Sequence, residues 1–134
     1  MNKIINENII EKITEGLNEE QKSAILMPLN SCTKVVAGAG TGKTQIISRR
    51  FAKLVKEIEN LGIEQAAERI LVITFTDKAA GEMKGRILQQ LQKNKINYIG
   101  QDLSISTFHG FCSKILKKHS IEVNLSPSFT LAES

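Results

Sequence analysis

Eight consecutive residues of the 134-residue chain have the types and spacing needed to hold a chain of phosphates: Ala37, Gly38, Ala39, Gly40, Thr41, Gly42, Lys43 and Thr44. Glycines let successive backbone N–H groups close around an anion, Lys43 supplies a mobile positive charge, and Thr44 offers a hydroxyl to Mg²⁺. The spacing is that of a P-loop in which Ala37 stands where the first glycine is usual. Alanine is the smallest other residue, so the departure is mild. A glycine-rich turn with no ligand is the bland alternative.

A phosphate loop needs a strand before it and a helix after it. Thr33–Val36 reads as a short strand leading in. The following segment reads as a helix with Ile47, Phe51, Leu54, Val55 and Ile58 on one face. Arg49, Arg50, Lys53 and Lys56 are expected to point mainly elsewhere, and residues 60–62 close the helix. Upstream, residues 3–15 carry Ile5, Ile9, Ile10 and Ile13 at helical spacing, ended by Gly16. A second helix opens near Leu17 and runs to about Met27, with Asn18 as N-cap. Gln21, three residues on, occupies the capping-box position, which accounts for it locally.

Downstream, residues 64–68 suggest a helical turn. The continuous apolar run 69–74 has the signature of a strand buried on both faces. From Lys78 a helical period returns, with Ala80, Met83, Ile87 and Leu91 inward. Residues 94–100 connect to a third strand at 103–106. Phe108, Phe111, Cys112, Ile115 and Leu116 then line a further helix, and the tail from Asn124 is loop-like. Strands alternating with helices imply a parallel sheet. The carboxyl ends of its strands would bring the P-loop, residues 74–77 and residues 107–109 to one edge, where open α/β sheets bind ligands.

Composition sets bounds. Apolar residues make up 41% and charged residues 24%, as in soluble globular domains. The net charge of +4 is compatible with a polyanionic partner. Between Lys78 and Lys95, Lys78, Lys84, Arg86, Lys93 and Lys95 face one acid, Glu82; this is either a solvated helix face or one turned to nucleic acid. Cys32 and Cys112 lack the spacing of a zinc site and read as buried small hydrophobes in a reduced cytoplasm. The polar-interrupted N-terminus is unlike a signal peptide, and no apolar run reaches membrane length, so no membrane is expected as partner.

Taken together, the motifs resemble the superfamily-one DNA helicases of the UvrD/Rep/PcrA type, from Leu17 onward. Leu17-Asn18-x-x-Gln21 resembles the family's Q motif, whose glutamine reads the adenine edge, so the resemblance gives Gln21 a second role. Ala37 to Thr44 is similar to motif I, Thr74-Phe75-Thr76-Asp77-Lys78-Ala79-Ala80-x-Glu82-Met83 to motif Ia, and Ser106-Thr107-Phe108-His109-Gly110-Phe111 to motif Ib. Asp77 stands where the family usually has asparagine and Gly110 where it has serine. Phe111-Cys112 and Ser126-Pro127-Ser128-Phe129 are also similar to the AddA/RecB branch, in which the motor is joined to a nuclease.

The resemblance implies an α/β, RecA-like P-loop NTPase fold, with a partial parallel sheet flanked by helices, and residues 1–134 as the N-terminal part of the first motor domain. It implies ATP hydrolysis coupled to movement along single-stranded DNA or at a single-strand/duplex junction. Lys43 would act on the β- and γ-phosphates as the catalytic residue and Thr44 would hold Mg²⁺. Gln21 and residues 37–44 would bind ATP; Thr74, Phe75, Thr76, Lys78, Thr107, Phe108 and His109 would contact DNA. Hydrolysis also needs an acidic pair and arginine fingers, which the family carries in later motifs, so the remainder of a helicase chain would supply them.

Asp77, near the end of an apolar run, could be read as a Walker B acid, but no second acid follows, and motif Ia accounts for more of the same residues. Phe111, one helical turn after Phe108, is expected in the core, and Phe75, at a strand end, on the ligand edge. Two readings of other classes remain: a small P-loop kinase, disfavoured because Arg49, Arg50 and Arg86 fall inside helices, and a non-catalytic P-loop binding module.

Overall fold

The computed structural model describes residues 7–130 except Ala39 and Thr41. Helix α1 (Glu7–Thr14) and helix α2 (Glu19–Leu26) precede the loop, and helix α3 (Lys43–Asn60) follows it. A 3₁₀ turn (Ala66–Arg69) leads to strand β1 (Leu71–Thr74), helix α4 (Asp77–Lys93), strand β2 (Ser104–Thr107) and helix α5 (Phe108–Lys118). The expected first helix is thus present over 7–14, while residues 3–6, including Ile5, lie outside the described residues.

Strands β1 and β2 pair in parallel, with Leu71 opposite Ser104 and Thr74 opposite Thr107. Parallel strands need a long crossover, and α4 provides it. The architecture is therefore α/β, with a two-stranded parallel sheet among the described residues and helices packed on it.

The core forms where α3 packs on α4 and on the two preceding helices. Ile46, Phe51, Ala52, Val55 and Ile58 of α3 meet Met83, Ile87 and Leu91 of α4, together with Ile13, Leu17, Ile25 and Ile96. The inward stripe of α4 falls where the helical period puts it, because its apolar residues recur every three to four positions.

Several expectations are corrected. Thr33–Val36 forms no strand: all four residues are exposed, Val36 by 84%, and no described strand pairs with them. A strand exists through its ladder, and propensity alone does not supply a neighbour. Strand β1 is not buried on both faces either, since Leu71 is 43% exposed and its neighbours are half-buried. On α3 the buried stripe runs through Ile46 and Ala52, leaving Ile47 exposed and Leu54 half-buried. Cys32 and Cys112 are exposed, and no residue of α5 is buried; Phe111 is half-buried. Among the described residues no helix is long and apolar enough to cross a membrane.

Candidate functional site

The loop and the helix after it have the local chemistry of an anion site. Gly40 and Gly42 both take positive φ, 75° and 82°, a region that costs other L-residues energy. Gly42 is also the N-cap of α3, whose first turn contains no acidic residue. The first N–H groups of a helix have no partner within it, and the dipole adds partial positive charge there. Lys43 begins the helix with its side chain exposed, and Thr44 follows half-buried. Ala37 is half-buried and Gly38 exposed, while Ala39 and Thr41 lie outside the described residues. The glycine backbone, the helix N-terminus and Lys43 offer donors and positive charge suited to an anion such as phosphate, and the Thr44 hydroxyl is an oxygen of the kind Mg²⁺ takes.

Helix α2 brings Gln21 to the same place. The Asn18 side chain accepts from Gln21 N at 2.9 Å, and Gln21 Oε1 accepts from Asn18 N at 3.1 Å, the reciprocal capping box expected from the spacing. That arrangement leaves the amide nitrogen pointing toward the loop: Nε2 is 3.6 Å from where a Cβ on Gly42 would stand. Beside it lies a cleft of about 600 Å³ lined by Asn18, Gln21, Met27, Ile46 and residues 33–38. The cleft therefore joins the capping box to the stretch entering the phosphate loop.

The second cluster lies at the carboxyl end of the sheet. Thr74 and Thr107 are paired across the two strands, so the segments that follow them start side by side. Thr76 caps α4 by accepting from Ala79 N at 3.1 Å, and Thr107 caps α5 by accepting from Gly110 N at 3.1 Å. Each hydroxyl keeps its own proton for donation. Thr74 donates to the Thr76 carbonyl at 3.0 Å. Phe75 is 95% exposed, Phe108 is 58% exposed, and Lys78 and His109 are exposed. Two aromatic faces, a cation and several hydroxyls on one edge are the components of a surface for single-stranded nucleic acid. Asp77, in the first turn of α4, is also exposed there. The structure thus joins two of the three expected segments at one edge, and it brings the glycine-rich loop to α2.

Charges on α3 are arranged differently from the sequence expectation. Arg49 and Lys53 are 8% and 5% exposed, and both bond to backbone carbonyls of preceding segments. The acid-poor stretch of α4 finds acids from elsewhere: Lys93 pairs with Glu15 at 3.6 Å, and Lys84 stands near Asp102. The Asp102 carboxyl is held below its ordinary range by its hydrogen bond from Lys114, at 2.7 Å, and by that lysine's charge, with Lys84 adding to the effect.

Glycine-rich loop, capping box and paired strand ends together define an α/β domain with a second polar and aromatic edge. The chain belongs to the UvrD/REP helicase N-terminal domain family, which residues 17–134 match. A probable DNA helicase of Mycoplasma pneumoniae is 46% identical over 105 residues, covering 78% of this chain and 18% of its own length. DNA helicase II of Haemophilus influenzae is 34% identical over 125 residues, covering 93% of this chain and 16% of its own. An ATP-dependent helicase/nuclease of Clostridium kluyveri is 36% identical over 127 residues, covering 86% of this chain and 10% of its own. The chain spans less than a fifth of the length of these relatives.

Proposed function

We propose that residues 1–134 are the nucleotide-binding N-terminal part of the first RecA-like motor domain of an ATP-dependent DNA helicase, working in the cytoplasm. The observation that supports this reading is the approach of the Gln21 side-chain amide to Gly42 of the glycine-rich loop, in a chain of this family. Lys43 would sit on the β- and γ-phosphates, and the backbone of residues 37–42 would wrap them. Thr44 would hold Mg²⁺, and Gln21 would meet the adenine edge through Nε2 while Oε1 keeps its bond to Asn18 N. Mg–ATP, when bound, supplies the phosphoanhydride whose hydrolysis drives movement.

At the second edge, Phe75 and Phe108 would stack on bases, and Thr74, Thr76, Lys78, Thr107 and His109 would contact the sugar-phosphate backbone of single-stranded DNA. The acidic pair and arginine fingers that hydrolysis requires would come from the remainder of the helicase chain, so residues 1–134 would bind ATP weakly and turn it over slowly or not at all. The similarity to a helicase/nuclease supports a second reading, the motor portion of a helicase–nuclease. Steady-state ATP hydrolysis with and without oligodeoxythymidine tests the assignment. DNA-stimulated turnover near that of a full motor would contradict it, as would binding of oligodeoxythymidine that is indifferent to salt.

A further inference from the structure

Helix α2 carries Gln21 and packs on α3, but it buries little of its own surface. It spans eight residues, of which only Ile25 is buried, and a helix of that length is not stable alone in water. What fixes it is a set of cations from α3. Arg50 Nη1 donates to the carbonyls of Ala24 at 3.2 Å, Ile25 at 2.9 Å and Met27 at 3.0 Å. Lys53 Nζ donates to the Met27 carbonyl at 3.0 Å and to Glu57 at 2.6 Å. These carbonyls are the unpaired acceptors that end a helix, where positive charge is also favoured by the dipole.

The turn before the helix is tied as well. Arg49 Nη1 donates to the carbonyls of Ile13 at 3.0 Å and Glu15 at 2.6 Å, at the end of α1 and just ahead of the Asn18 cap. The C-terminal end of the Gln21 helix and the turn that leads into it are therefore both tied to α3. The N-terminus of that helix is the phosphate loop.

We infer that Arg49, Arg50 and Lys53 are positioning residues that set the distance between the base-reading amide of Gln21 and the phosphate loop. The inference rests on the proposed ATP site. A nucleotide is then recognised at two points held by a single element, and the α3 cations act on the base end without touching the ligand. Loosening α2 should relax the choice of base and leave the grip on phosphate intact.

Binding of Mg–ATP, Mg–GTP and inorganic tripolyphosphate to the 134-residue chain separates the outcomes. The wild type should prefer ATP to GTP by about five- to tenfold, what one neutral hydrogen bond contributes. Arg50→Met should bring that preference to about one while tripolyphosphate affinity stays within about twofold. Arg50→Lys should restore part of the preference, and adding Arg50→Met to Gln21→Ala should remove nothing further, because both act on one contact. Lys53→Met, which removes a single donor to the helix end, should shift the preference in the same direction by less. It carries the test if circular dichroism shows that Arg50→Met does not fold. Equal losses for ATP, GTP and tripolyphosphate, or an unchanged ATP/GTP ratio in both variants, would overturn the inference. A wild type that binds neither ATP nor tripolyphosphate would instead refute the proposed site itself.

Discussion

The side-chain amide nitrogen of Gln21 lies 3.6 Å from the position that a Cβ on Gly42 would take, although the two are 21 positions apart in sequence. Gly42 holds φ at 82°, and Gln45 Oε1 lies 3.5 Å from the same point. Space is thus adequate for a methyl group, and the backbone conformation is what excludes one. Gly42→Ala should cost about 1–2 kcal/mol of stability, the strain of a non-glycine residue in the left-handed region. Urea denaturation of the two proteins measures the difference.

Phe75 is almost wholly exposed at the end of β1, so it contributes little to packing. Phe75→Ala should leave the denaturation midpoint nearly unchanged while weakening binding to oligodeoxythymidine by about 1–3 kcal/mol, the contribution of one base stacked on an aromatic ring. Fluorescence anisotropy at fixed salt reads the binding and thermal denaturation reads the stability. A fall in stability with unchanged DNA affinity would put Phe75 outside the nucleic-acid surface.

Asp102 and Lys114 form a surface pair at 2.7 Å between the segment before β2 and helix α5. The carboxyl pKa is lowered in the folded state by that hydrogen bond and charge. A depressed carboxylate pKa means the pair adds stability above the unfolded-state value and loses it as pH falls through the folded value. The group is exposed, so the effect is small. In an NMR titration the Asp102 carboxyl should move toward the ordinary aspartate range in Lys114→Met; no movement would contradict the assignment.

Local patterns were legible in the sequence and non-local partners were not. The stripe Ala80, Met83, Ile87 and Leu91 needed only a helical period, and the Asn18–Gln21 capping box closes within four residues. The paired ends at Thr74 and Thr107 followed from strand–helix alternation, with β2 lying one residue later than expected. Thr33–Val36 failed because strand propensity says nothing about whether a neighbour is there to pair. Arg49, Arg50 and Lys53 were expected to point mainly elsewhere because their backbone acceptors lie 23 to 36 residues away. The signal that could have found them is their spacing: three cations within two turns of one helix, preceded by two short helices whose last turns need donors.

The central claim, that residues 37–44 grip the phosphates of ATP through Lys43, is tested most directly by thermal denaturation with and without Mg–ATP. A ligand that binds only the folded state raises stability, by about 2.7 kcal/mol at a hundred times its dissociation constant. Lys43 is exposed at the start of α3, so Lys43→Ala should denature like the wild type without ligand. The account predicts a rise in the wild-type midpoint with Mg–ATP and little or none for Lys43→Ala. No rise in the wild type, or an equal rise in both proteins, would contradict it.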